Sequence, residues 1–220
     1  MLDLGTGTGA LARGLAVRGC RVVGLDLAPA LVSEGRRLDR EAGVRADYLV
    51  GRAEQAGLRA AAFDVVTAGQ CWHWFDRPRA AREAHRLLVP SGALVIAHFD
   101  WLPLPGNVVE ATERLIERHN PAWKLAGGVG VHPAWLRDVA VADFEDVETF
   151  SFDVRVPYTH EAWRGRIRAS AGVAASLAPA GVARFDAELH GLLASAFPTE
   201  PLKVPHRVFA LVCRAPARRS

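Results

Sequence analysis

The sequence has little cysteine, almost no lysine and no long apolar run, and each shortage excludes a class of protein. Its three cysteines, Cys20, Cys71 and Cys213, are far apart and odd in number, so they form neither a disulfide framework nor a metal-binding pair. The apolar runs are far shorter than the ~20 residues that a transmembrane helix needs. No basic and apolar leader precedes the first motif. We therefore expect a cytoplasmic protein with no membrane partner.

The charged residues exclude two further classes. Only Lys124 and Lys203 are lysines, the arginines are spread along the chain, and the formal net charge is +3. A nucleic-acid-binding surface would concentrate positive charge on one face, so we expect no nucleic-acid partner. The eight histidines are dispersed, without the close His or Cys spacing of a zinc site. We predict no metal.

What the sequence does contain is an alternation of strand and helix signals. Strands are predicted at 1–5, 20–26, 45–51, 62–69 and 93–99, and helices at 8–18, 29–41 and from Asp76 to a stop at Pro90 and Gly92. The second half is less regular, with helices predicted at 107–119, 132–140, 159–170 and 179–196 and strands at 144–154 and 205–215. This pattern predicts an α/β fold: a doubly wound, mostly parallel, seven-stranded Rossmann-like sheet with a helical cap.

The segment LDLGTGTG at residues 2–9 predicts a ligand-binding loop. Gly5, Gly7 and Gly9 allow the backbone to turn sharply and approach a ligand, and the next helix directs free N–H groups to the same place. A tight turn without a ligand is one alternative. A dinucleotide site is another, because the glycine spacing fits and Asp26 follows at the expected distance. Asp3 favours a different ligand, since a carboxylate suits an ammonium or sulfonium group better than a pyrophosphate.

Five segments, in order, resemble the motifs of class I S-adenosylmethionine-dependent methyltransferases. They are LDLGTGTG, VVGLDLAP, VGRAE, FDVVTAGQCWHWF and LLVPSGALVIA. The resemblance implies S-adenosyl-L-methionine as the cofactor and methyl transfer without a metal. It also implies one domain over residues 1–220, with a cofactor-binding half at 1–100 and cap helices and closing strands at 101–220.

The same resemblance implies which residues hold the cofactor. Asp26 would hold the two ribose hydroxyls, and Ala53 and Glu54 would contact the adenine. Many relatives have an acid before this Ala-Glu pair, where this chain has Arg52, so Glu54 or a backbone carbonyl is left to accept from the adenine amino group. The complete predicted cofactor-binding set is Asp3, Gly5, Thr6, Gly7, Gly9, Asp26, Leu27, Ala53, Glu54 and Gln70.

The position of Met1 carries an expectation of its own. Relatives usually have one or two helices before the first motif, and these helices close over the cofactor. We expect that the true start lies upstream of Met1, the alternative being a chain with a more open cofactor pocket.

The segment GQCWHWF predicts the kind of acceptor. Nucleic-acid amino-methylating relatives have an Asn/Asp-Pro-Pro-aromatic sequence here, whereas this segment resembles a small-molecule branch akin to trans-aconitate methyltransferases. Trp72, Trp74, Trp101 and Arg166 are predicted to bind the substrate. Arg166 could pair with a substrate carboxylate or be a solvated helix arginine. His73 is the candidate catalytic base, the alternative being a ring packed between the tryptophans.

These observations predict methyl transfer to an oxygen, nitrogen or carbon of a small-molecule acceptor by a monomer or homodimer. Two other functions stay open from the residues alone. One is a non-catalytic module that binds S-adenosylmethionine or a protein, and the other is an NAD-binding Rossmann protein.

Overall fold

The computed structural model describes residues 1–217, and seven strands form one sheet. The strands are β1 (Leu2–Leu4), β2 (Val23–Asp26), β3 (Asp47–Val50), β4 (Phe63–Gly69), β5 (Leu88–Trp101), β6 (Glu145–Tyr158) and β7 (Leu202–Arg214). Their order is β3-β2-β1-β4-β5-β7-β6. β1 pairs in parallel with β2 and β4, β2 with β3, and β4 with β5. The predicted doubly wound, mostly parallel sheet is confirmed.

The described residues also contain seven α-helices, most of which begin where the sequence provides a start signal. They are α1 (Ala10–Val17), α2 (Pro29–Glu41), α3 (Arg77–Leu87), α4 (Val108–His119), α5 (Ala134–Ala140), α6 (His160–Arg168) and α7 (Pro179–Ala196). The Asp76 carboxylate accepts from the N–H of Arg79 at 3.3 Å and caps α3. The Asn107 side chain caps α4 in the same way. No helix of the described part of the chain is long and apolar enough to cross a membrane.

The junction between α3 and β5 differs from the prediction. The helix ends at Leu87 and the strand begins at Leu88, ahead of Pro90 and Gly92, which were predicted to stop the helix. Leu88 already pairs with Phe63, and the register with β4 shifts before the regular pairing resumes. The strand therefore absorbs the Pro and Gly as an irregular stretch, which is where such residues are tolerated in sheets.

The chain divides into two compact units, each with its own core. The first unit contains Met1–His98, His132–Phe150 and Phe209–Ser220, described up to residue 217, and the second contains Phe99–Val131 and Ser151–Val208. In the first unit, leucines of β1 and β5 pack with the alanines of α3 and with Trp135. In the second, Trp163 and Phe185 pack with residues of α4 and β7. The predicted division of one domain near residue 100 stays a prediction.

Candidate active site

The glycine loop between β1 and α1 is built from three left-handed residues. Gly5, Gly7 and Gly9 have φ angles of 61°, 56° and 76°, which favour glycine. A Cβ at Gly9 would lie 2.0 Å from the hydroxyl of Tyr48, and one at Gly5 would lie 2.8 Å from Cys71 Sγ. A Cβ at Gly7 would meet nothing within 4 Å. Gly5 and Gly9 are therefore required by packing, whereas Gly7 faces open space.

Asp26, the last residue of β2, fastens this loop. Its Oδ2 accepts from the N–H of Gly7 at 2.8 Å, and its Oδ1 accepts from the N–H of Ala28 at 2.9 Å. A carboxylate has about four acceptor sites, so each oxygen can accept a further bond. Asp26 thus holds the loop and still offers acceptors to a ligand.

Asp3 lies behind the loop. It is 1% exposed, and its two oxygens accept from the hydroxyls of Thr6 at 2.6 Å and Thr67 at 2.7 Å. Burial raises the pKa of Asp3, although these hydrogen bonds oppose the shift. The sequence analysis placed this carboxylate toward a cationic ligand. In the structure it acts on the loop through Thr6.

A cavity of about 520 Å³ opens beside the loop, at the carboxyl ends of β1, β2 and β4, where ligands bind in sheets of this type. Its wall includes eight of the ten predicted cofactor residues, namely Gly5, Thr6, Gly7, Asp26, Leu27, Ala53, Glu54 and Gln70, and also Trp74 of the predicted acceptor set. The wall also includes Phe75, an aromatic residue of the GQCWHWF segment that was expected to line a pocket. Wall residues that were not predicted are Thr8, Leu25, Leu31, Gly51, Arg52, Gly69 and Cys71. Nearly all of them are sequence neighbours of a predicted motif residue. This adjacency is the feature of the sequence that could have indicated their place on the cavity wall.

Glu54 joins the turn after β3 to the start of α3. Its Oε1 accepts from the N–H of Asp76 at 3.0 Å, and its Oε2 lies 3.9 Å from Nε of Arg52. Because both residues of this pair line the cavity, Arg52 brings a positive charge to the wall beside Glu54.

The segment after β4 places its two tryptophans on opposite sides. Trp72–Trp74 forms a 3-10 turn, and the three-residue period points side chains two apart in different directions. Trp74 is 64% exposed and lines the cavity. Trp72 is 0% exposed, and its indole N–H donates to Asp138 at 3.1 Å. The expectation that Trp72 contacts the acceptor is therefore wrong, because Trp72 is a core residue.

His73, between these tryptophans, is exposed and forms part of a histidine cluster. Its Nδ1 lies 3.2 Å from Nε2 of His98, at the end of the first unit's part of β5. The His73 ring also packs against Trp74, with centroids 4.6 Å apart. His98 is buried and meets His132 edge to face at 4.7 Å. His132 was not predicted from the sequence, because it lies in no motif.

Trp101 and Arg166 lie in the second unit and contact each other. The Arg166 guanidinium is 5.3 Å from the centroid of the Trp101 ring, within the range of a cation–π interaction. The Trp101 indole N–H donates to Glu113 at 2.7 Å. The role of both residues in acceptor binding stays a prediction.

A parallel α/β sheet with a glycine loop after β1 and an acid at the end of β2 defines a Rossmann-like protein that binds a nucleoside-containing cofactor. Comparisons with known proteins identify which cofactor this is. Residues 2–96 match the model of the family described as a methyltransferase domain. The ubiquinone biosynthesis O-methyltransferase of Xanthomonas axonopodis pv. citri (strain 306) is 31% identical over 176 residues, which cover 77% of this chain and 70% of that enzyme.

Solved structures agree on the fold. The YcgJ protein of Bacillus subtilis has a TM-score of 0.62 at 18% identity, over 100% of this chain and 92% of that one. The phosphoethanolamine N-methyltransferase 2 of Haemonchus contortus, in complex with S-adenosyl-L-methionine, has a TM-score of 0.56 at 20% identity, over 98% of this chain and 48% of that one. The chain belongs to the class I S-adenosylmethionine-dependent methyltransferases. It is an enzyme, and its cofactor is S-adenosyl-L-methionine.

Proposed function

We propose that this methyltransferase acts on a hydroxyl oxygen of a small molecule and that His73 accepts the proton. The observation that carries the proposal is His73 itself, hydrogen-bonded to His98 and packed on Trp74, a residue of the cavity wall. A hydroxyl must lose its proton as it is methylated, and a neutral imidazole is suited to take it near neutral pH.

The cavity fits the cofactor. Gly7 leaves space where any side chain would intrude, and Asp26 has acceptor sites for ribose hydroxyls. We propose that Ala53 and Glu54 contact the adenine. When bound, S-adenosyl-L-methionine supplies a methyl group that is already activated on a sulfonium. The protein's own task is therefore to align the acceptor, exclude water and receive the proton.

The residues around His73 have separate tasks. Trp74 offers an exposed aromatic face to a small, flat acceptor. His98 holds one ring nitrogen of His73, and this bond fixes the orientation of the imidazole and couples the tautomers of the two rings. His73 would receive the hydroxyl proton as the oxygen takes the methyl group from the sulfonium, whose sulfur–methyl bond breaks to leave S-adenosylhomocysteine.

Two further observations support an oxygen of a small molecule as the acceptor. The Xanthomonas relative is named as an O-methyltransferase. The GQCWHWF segment lacks the Asn/Asp-Pro-Pro-aromatic sequence of nucleic-acid amino-methylating enzymes. Its resemblance to the branch akin to trans-aconitate methyltransferases supports a small molecule as the acceptor and does not distinguish a hydroxyl from a carboxylate.

The test is the formation of S-adenosylhomocysteine with catechol as the acceptor, measured between pH 5.5 and 9.5. We expect the rate of the wild type to rise with pH, because the base must be unprotonated to accept the hydroxyl proton. His73→Gln should lower kcat about a hundred-fold or more and move the rise toward the pKa of the phenol. His190→Gln, at an exposed histidine elsewhere in the chain, is the control and should behave like the wild type.

Two results would contradict the proposal. If His73→Gln kept the rate and pH profile of the wild type, His73 would not be the base. If methylamine or benzoate were methylated while catechol and other small alcohols and phenols were not, the acceptor atom would be wrong. A carboxylate is already deprotonated at neutral pH and needs no base.

A further inference from the structure

Three polar side-chain atoms of the second unit are buried and have no hydrogen-bond partner among the described residues 1–217. They are Nε of Arg166, Oγ of Ser170 and Nε2 of His206. Buried polar groups nearly always have a partner. Three exceptions in one unit therefore require an explanation, and neither the cavity beside the glycine loop nor the proposed base involves them.

The first two residues are close in the sequence. Arg166 lies in the last turn of α6, and Ser170 follows two residues after the helix ends. A turn follows the helix at Ser170, whose N–H donates to the carbonyl of Ile167 at 2.9 Å. Arg166 and Ser170 thus place two donors in one short segment.

His206 belongs to the same group of residues. Burial lowers the pKa of His206, and the charge of Arg166 adds to this effect, while the hydrogen bond to Val204 opposes it. A continuous set of aromatic contacts connects the two residues. Trp163 lies 5.7 Å from Trp101 under the Arg166 guanidinium and 5.3 Å from Tyr158, and Tyr158 stacks at 5.9 Å from His206. Arg166 and His206 therefore lie at the two ends of one aromatic wall, formed by Trp101, Trp163 and Tyr158.

The chemistry of the three atoms defines the missing partner. Arg166 Nε–H is a charged donor, and the Ser170 hydroxyl can donate. His206 Nδ1 lies 3.1 Å from the carbonyl of Val204 and donates to it, so in the neutral ring Nε2 is unprotonated. A ligand whose charge offsets that of Arg166 would favour proton uptake at His206 Nε2, which would make it a third donor. The planar guanidinium group of arginine matches the geometry of a planar anion such as a carboxylate.

We propose that Arg166, Ser170 and His206 form a binding site for the carboxylate of a small aromatic molecule. One negative charge matches the site better than two, because Arg166 is the cation and the charge of Asp100 also acts on His206. Glu113 is close as well, bonded to Trp101. The aromatic wall favours a ring on the carboxylate over a bare inorganic ion. The site stands on its own residues and does not depend on the identity of the methyl acceptor.

The test is calorimetric titration of the full chain with benzoate, and with benzamide and inorganic phosphate as comparison ligands. We expect saturable binding of one benzoate, with benzamide and phosphate much weaker. Arg166→Gln should weaken benzoate binding about ten-fold or more, because it removes a charged hydrogen bond. Ser170→Ala should weaken it by a smaller factor. Arg155→Gln, at an exposed arginine of the same unit, should leave it unchanged.

Arg166→Lys separates charge from shape, since lysine keeps the charge and loses the planar fork. It should bind benzoate less well than the wild type and better than Arg166→Gln. Thermal unfolding of every variant confirms that it is folded. Absence of benzoate binding by the folded wild type, equal binding by Arg166→Gln, or tighter binding of phosphate would each overturn the proposal. Calorimetry needs no turnover, so this result is independent of the methylation assay.

Discussion

At the residue scale, the three glycines of the loop are needed for different reasons. Gly9 passes so close to the Tyr48 hydroxyl that a side chain has no room, whereas Gly7 has open space and only its left-handed φ of 56° disfavours other residues. A side chain at Gly9 would disturb packing of the protein with itself. A side chain at Gly7 would mainly disturb whatever enters the cavity.

Gly7→Ala should therefore separate binding from stability. We expect it to destabilise the fold by about 1–2 kcal/mol, because alanine is strained in the left-handed region, and to weaken S-adenosylhomocysteine binding strongly, because the methyl group projects into the cavity. Gly19→Ala is the matched control, since Gly19 has φ 85°, nothing within 4 Å and no place on the cavity wall. Thermal unfolding and calorimetry measure both quantities. Equal binding by the two variants would show that Gly7 is not a cofactor contact.

Asp3 predicts a pH dependence of stability whose sign follows from its environment. Burial raises its pKa above the ordinary 3.8, so the folded state holds the proton more tightly than the unfolded state. The free energy of unfolding of the wild type, relative to Asp3→Asn, should fall as pH rises from about 4 to the raised pKa, and stay level above it. Urea unfolding of both proteins from pH 3.5 to 7 measures this difference. A difference that rises with pH would show that the threonine hydroxyls outweigh burial.

At the element scale, the 3-10 turn that contains His73 and Trp74 is anchored through its first residue. Trp72 fills the core behind the turn, and its indole N–H reaches Asp138 on α5, which also lies 3.4 Å from Nε of Arg77. The exposed residues of the turn are thus positioned by a buried neighbour. This is the reason that the aromatic segment combines one core residue with residues at the site.

Asp138→Ala should destabilise the fold by about 1–3 kcal/mol, because it leaves a buried indole N–H without an acceptor. Trp72→Phe removes the indole N–H, so the Asp138 carboxylate no longer has this donor to accept from. The double variant should therefore lose less stability than the sum of the two single variants, as contacting pairs do. Urea unfolding gives the three free energies. Strict additivity would mean that the bond contributes nothing to the stability of the turn.

At the scale of the whole molecule, the first half of the fold was predictable because it is local. Strands of β-branched and apolar residues alternate with helices, and α2 spans Pro29–Glu41 as predicted. The cofactor loop was equally predictable, since left-handed turns require glycine at particular positions. Asp26 was predicted because it follows the glycine loop at the distance expected of a ribose-binding acid and lies in a segment that resembles the second motif of the family.

The remaining features depend on pairs of residues that are distant in sequence. Asp138 is 66 residues from Trp72, and His132 lies in a segment with no motif. Neither the burial of Trp72 nor the histidine cluster follows from a local pattern, because both arise when the chain leaves the first unit and returns to it. The same return explains why the units are interleaved along the sequence.

Because each unit has its own core, a substitution in one core should destabilise that unit more than the other. Leu189 is fully buried in the core of the second unit, and Leu94 in that of the first. Either leucine, changed to alanine, should cost about 2–5 kcal/mol. The cofactor cavity is lined by residues of the first unit alone, so Leu94→Ala should weaken S-adenosylhomocysteine binding more than Leu189→Ala does. Hydrogen exchange should show faster opening of 99–131 and 151–208 in Leu189→Ala, and of the first unit in Leu94→Ala. If both variants lost cofactor affinity equally and exchanged uniformly, the two cores would unfold as one cooperative body.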